Sequence, residues 1–74
     1  MKKQLFSLLK TQAIADREKA ITTLTLLSEH PAGIGDHSTG DFYNNAEEAL
    51  TMLVDADDKI STLSKYDYNW EKKN

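Results

Sequence analysis

All three glycines and the single proline of this chain fall between Pro31 and Gly40. The stretches on either side lack both residues and are rich in Leu, Ala, Lys, Gln and Glu. A helix interior gives up roughly 1 kcal/mol for glycine and about 3 for proline relative to alanine. That distribution therefore divides the chain into two helix-competent halves joined by a turn. The expected fold class is all-α: an antiparallel helical hairpin of two long helices, completed by oligomerisation or by a partner. The expected organisation is a single domain over 1–66, with a helix over about 3–29, a turn over 30–40 and a helix over about 41–66. A C-terminal tail occupies 67–74.

Apolar spacing supports the division. Phe6, Leu9, Ala13, Ala20, Ile21, Leu24 and Leu27 recur at three, four and seven residues, one stripe at the helical period. In the second half Phe42, Ala46, Ala49, Leu50, Leu53, Ala56 and Ile60 do the same, with Leu63 at the edge. The residue before Pro31 avoids the helical region, which ends the first helix. Ser38, Thr39 and Asp41 are candidate caps for the second, and Asn44 with Glu47 has capping-box spacing.

Charges intrude once into each stripe, at Arg17 and Asp57. Antiparallel folding about a turn near residue 36 sets Leu27 opposite Ala46, Leu24 opposite Leu50, Ala13 opposite Ile60 and Arg17 opposite Asp57. An Arg17–Asp57 pair is therefore expected to fix the register; a partly buried pair contributes more to specificity than to stability. Leu5, Leu8 and Leu26 lie well off the first stripe. Scattered exposed leucines are common, but a second row along one helix also reads as a contact face for a like chain or a different protein. A 74-residue hairpin has too little core to need no help.

The turn, with Pro31, Gly33, Gly35, Asp36 and His37, admits several readings. A phosphate cradle would use glycine amides near a helix start. However, Asp41 and Phe42 follow Gly40 where a P-loop needs Lys and Ser/Thr, and no strand precedes it as a dinucleotide fold requires. For metal, the candidate ligands are His30, Asp36, His37 and Asp41. Asp36 and Glu47 occupy the first and twelfth places of a calcium loop, but Asp41 stands where the invariant glycine belongs. No metal site and no cofactor are expected. The remaining reading is a bend, with Ile34 covering the hairpin end. At about ten residues it is long for a connection between bundle helices, and a histidine there could make partner affinity pH-dependent.

In the tail, Tyr66, Tyr68 and Trp70 alternate among Lys65, Lys72 and Lys73, a period that is not helical. Aromatics among lysines can stack single-stranded bases, so Tyr66, Tyr68, Trp70 and Lys72 are candidate nucleic-acid contacts. Alternatively, the aromatics fold over the open end of the hairpin or dock on a neighbouring chain. Net charge is −3, arising as +1 over residues 1–37 and −4 over 38–74. That is not the basic balance of a duplex binder. Glu47, Glu48, Asp55 and Asp58 fall mainly on the outer side of the second helix, a solvated face or an acidic one for a basic partner. The absence of cysteine excludes disulfides and thiolate zinc sites. No apolar run is long enough to span a membrane, and Lys10, Thr11 and Gln12 interrupt the N-terminal apolar stretch, so no signal peptide is expected. There is no HExxH, CxxC or Gly-x-Ser-x-Gly motif, and no catalytic function is expected.

The segment LLSEHPAGIGDHSTGDFYNNAEEALTMLVDADDKISTLSKY resembles a group of short helical accessory proteins of T4-like and marine tailed phages. Their pattern is a Leu-rich helix, a turn of the form (Asn/His)-Pro-x-Gly-Ile-Gly-(Asp/Glu)-His, and an acidic helix ending in Leu-x-x-Lys-Tyr. His30 to His37 and Asp57 to Tyr66 carry the match, about half the chain. The resemblance implies a small phage accessory protein and assigns no residue a role; together with the readings above, the expectation is a non-enzymatic protein of the host cytoplasm that works by protein–protein interaction or self-assembly. A small phage protein of this size, encoded beside the UvsW recombination helicase, is a helical bundle related to nucleic-acid-binding modules. It suggests the alternative of a nucleic-acid or nucleotide-binding accessory, although two long helices depart from a four-helix module.

Overall fold

The computed structural model describes residues 1–29 and 39–69. Two helices of 27 residues each make up nearly all of it: α1, Lys3–Glu29, and α2, Thr39–Lys65. Each is about 40 Å long at 1.5 Å per residue, and they lie side by side in a rod about 14 to 17 Å across. Leu9 shares a groove with Leu63 near one end, and Leu27 shares one with Asn45 near the other. The helices are therefore antiparallel.

Helix α2 starts two residues before the position expected from sequence, which puts Asp41 in its first turn rather than at its cap. A carboxylate there faces the positive end of the helix, and Lys65 in the last turn faces the negative end. Asn44 and Glu47 are inside the helix, so they do not form its capping box. Helix α1 has no acid in its first turn and no base in its last. A backbone bond from the Phe6 N–H to the Lys2 carbonyl, 3.0 Å, extends its start.

The hydroxyls of Thr23, Ser28 and Ser64 each donate to the carbonyl four residues earlier, at 2.9, 2.7 and 2.9 Å. This local bonding satisfies them without a partner from the other helix.

Among the described residues the buried core consists of four alanines: Ala13, Ala20, Ala49 and Ala56. Each pair is seven residues apart. Extending the spacing by seven in both directions gives Phe6, Ala13, Ala20 and Leu27 in α1, and Phe42, Ala49, Ala56 and Leu63 in α2. The two helices thus carry the same four-residue series along the line where they meet. A seven-residue repeat keeps one seam facing a partner helix. Alanine at its centre lets the backbones approach to the short end of the usual interaxial range, about 8 Å. Phe6, Leu27, Phe42 and Leu63 are half-buried at the ends, where the seam has more room.

This seam is narrower than the apolar stripes suggested. Leu9, Ile21 and Leu50, read as facing residues, are exposed. Two helices in close contact cover only a strip of each surface, and residues off that strip, Ile21 and Leu50 by about 100°, remain in solvent.

Candidate interaction faces

The seam divides the hairpin into two flanks. On one flank lie Leu9, Asp16, Thr23, Asn45, Met52 and Lys59, which border grooves of about 410 and 240 Å³ between the helices. The grooves are lined mainly by apolar surface, from Leu9, Ala13 and Leu63 in one and Ala20, Leu27 and Met52 in the other, with charged and polar groups at their rims; Gln12 Nε2 donates to Asp16 Oδ1 at 3.0 Å along this side.

The opposite flank follows from helical geometry. Moving from Ala13 by one residue, or from Ala20 by one, turns 100° away from the seam on the side opposite these grooves. That places Ile14 and Ile21 there. In α2 the same step from Ala49 and Ala56 gives Leu50 and Asp57. Because the helices are antiparallel, the equivalent flanks fall on one side of the rod. Leu24 and Leu53, both half-buried, line its floor beside the seam. Ile14 and Ile21 are 37% and 41% exposed, Leu50 is 53%, and Val54 at the edge is 49%. One side of the hairpin is therefore grooved, with charged and polar groups at the groove rims, and the other presents a row of branched apolar side chains.

Arg17 and Asp57 both belong to this apolar flank, and they are not paired with each other. Arg17 is half-buried, and its Nη2 lies 3.6 Å from Glu18 Oε1 on its own helix. Asp57 is exposed, and no ion pair joins it to Arg17. The expected register-fixing pair is corrected on this point. The seam position across from Arg17 is taken by Ala56, and Asp57 sits one residue further, rotated out of the contact.

Leu5, Leu8 and Leu26 are 48%, 64% and 52% exposed; Leu5 and Leu26, one residue before Phe6 and Leu27 of the seam, fall about 100° round on the side of the grooves, and Leu8 lies further from α2. The acidic residues Glu47 and Glu48 border a shallow polar surface with Asn44 and Thr51 on the outside of α2.

At the open end, Tyr68 folds back on the hairpin. Its ring meets Phe6 edge-on at 5.7 Å and 70°, and Lys3 Nζ lies 5.7 Å above it. Lys10 Nζ lies at the same distance over Phe6. An Asx-type bond from the Asn69 N–H to Asp67 Oδ1, 2.9 Å, shapes this return. Tyr68 and Lys3 are thereby engaged with each other while remaining exposed. Tyr66 is exposed on the last turn of the helix end, with its N–H bonded to the Thr62 carbonyl at 3.1 Å. Trp70 and Lys72 lie outside the described residues, as do Pro31, Gly33, Gly35, Asp36 and His37 of the turn.

Among the described residues no three His, Asp or Glu side chains gather as a metal site would require. No described helix is long and apolar enough to cross a membrane. The branched apolar flank was the feature that sequence reading missed. Ile14 and Val54 belonged to neither stripe, and the signal that would have found them is the seven-residue alanine spacing, which fixes the seam and hence its flanks. In comparisons with known proteins, no family model fits this chain, and no curated protein and no solved structure matches it.

Proposed function

We propose that this chain is a non-enzymatic assembly module, a small phage accessory protein of the host cytoplasm whose hairpin presents apolar helix faces to other proteins. One observation carries the reading: the described residues bury nothing larger than alanine, while Leu5, Leu8 and Leu26 stand exposed along the outside of α1. Large apolar side chains gathered on a surface mark interaction sites in soluble proteins. A leucine row at helical spacing suits a partner that offers a groove to one face of a helix. The resemblance of the turn and of the acidic helix to short phage proteins supports the setting.

The test is site-specific photo-cross-linking in infected cells. A photoreactive residue at position 8 should give an adduct with a second, different polypeptide, and the same group at Thr51 on the outer side of α2 should not. Equal labelling from both positions, or none from position 8, would refute the docking role of this row.

A further inference from the structure

We infer that the branched apolar flank is a self-association surface, on which a second copy of this chain packs to complete a four-helix bundle. The inference rests on reading the chain as an assembly module and names one of its partners. Three observations select a second copy over another occupant.

The first is area. Helices about 40 Å long in a rod 14 to 17 Å wide offer a side of about 600 Å², the lower end of what each partner contributes to a stable interface.

The second is shape. The flank is a two-helix layer with Ile14, Ile21, Leu24, Leu50 and Leu53 along it. Such a layer is half of a bundle, and an identical layer supplies the missing half.

The third is charge. The flank holds Arg17 and Asp57 at neighbouring levels on opposite helices, with Lys10, four residues after Phe6 as Arg17 is four after Ala13, further toward the open end. A two-fold axis parallel to the helices lays α1 of one copy over α2 of the other at the same level. Ile21 then rests on Leu50 and Leu53 of the second copy, and Arg17 meets Asp57 of the second copy. The symmetry makes that contact twice, because the same patch is used by both copies. All four helices run antiparallel to their neighbours, the arrangement of up-and-down bundles. Arg17, whose ion-pair neighbour among the described residues is Glu18 at 3.6 Å, gains a carboxylate inside an apolar contact. There it specifies which surfaces may meet.

The experiment is a charge swap between copies, read by sedimentation equilibrium. The wild-type chain should have twice its 8.3 kDa mass. Arg17→Asp places two like charges opposite each other at both contacts, as does Asp57→Arg. Each variant alone should associate about 100-fold or more weakly and run near the single-chain mass. An equimolar mixture of the two should recover the double mass, because each acid of one variant then meets an arginine of the other. A pair made within one chain would not be restored by mixing, so the mixture separates the two geometries. Ile21→Glu, followed by mass and circular dichroism, should also give single chains with reduced helix.

A wild-type chain that stays at 8.3 kDa across the accessible concentrations, or a mixture that stays at the mass of its parts, would overturn the inference. Position-8 cross-linking to a different protein is unaffected by that result, so loss of the self-association face and loss of the assembly role are distinguishable.

Discussion

Ala20→Leu is the sharpest probe of the seam. Ala20 is 1% exposed, and its partners at the centre of the contact are also alanines. No larger side chain is buried nearby to be displaced, so the three added carbons must push the helices apart or leave their rotamer wells. Overpacking of this kind costs roughly 1–3 kcal/mol. For a domain of this size each kcal/mol moves the melting midpoint by about 4–8 °C, so a fall of roughly 5–20 °C is expected. Shrinking the same site should also destabilise: Ala20→Gly loses about 1 kcal/mol of helix propensity and about 0.8 kcal/mol of buried methyl. Ala15→Leu, at an exposed position of the same helix, is the control and should change the midpoint little. Thermal melts by circular dichroism at one fixed concentration, with mass checked for each variant, decide the matter. A rise in midpoint for Ala20→Leu would refute the close seam, because it would mean that the helices stand far enough apart to welcome a leucine.

Other expectations follow from the same geometry. Tyr68→Ala removes the edge contact with Phe6 and the cation above the ring, together about 1–2 kcal/mol, and hydrogen exchange should show faster opening of the first turn of α1; unchanged exchange would refute the packed tail. Thr23→Ala should be neutral or slightly stabilising, since its hydroxyl only bonds back to Lys19, and a loss above about 1 kcal/mol in denaturant melts would contradict that account. If a second copy completes the fold, tenfold dilution should lower the melting midpoint by about 4 °C through mass action, whereas a concentration-independent midpoint would speak for a self-sufficient hairpin. Leu8→Lys with Leu26→Lys should leave helix content and mass unchanged, because both are exposed and lie off the seam and off the branched flank; a drop in mass would move the self-association surface to the outer row.

The two helices were legible because proline and glycine are concentrated between them and because apolar residues recur at the helical period. The architecture follows from those two signals alone. What the apolar stripes did not disclose was which of their members touch. Ile21 and Leu50 are as apolar as any core residue, yet the contact is made by alanine, the least apolar member of each stripe, because small side chains permit the closest approach. Hydrophobicity ranks candidates for burial by size, and this seam selects against size. The Arg17–Asp57 expectation missed for a related reason. Counting across the turn placed the two charges at the same level, which is correct to within a residue. One residue on a helix, however, is a rotation of 100°, enough to carry Asp57 out of the contact while Ala56 fills it. The outer row of Leu5, Leu8 and Leu26 was readable as a face off the stripe. What occupies it depends on a second molecule and has no signature within one chain.

The matching series Phe, Ala, Ala, Leu in α1 and α2 has a consequence for how the chain finds its fold. Along the seam each helix is nearly a copy of the other, so α1 is almost as good a mate for another α1 as for α2. What discriminates is the tether: nine residues between Glu29 and Thr39 hold α2 beside α1 at an effective concentration in the millimolar range. Cutting or lengthening that tether would leave side-chain complementarity almost unchanged while releasing the choice of mate. A nicked chain should therefore exchange helices between molecules, and a shortened tether should drive the same helices into swapped pairs.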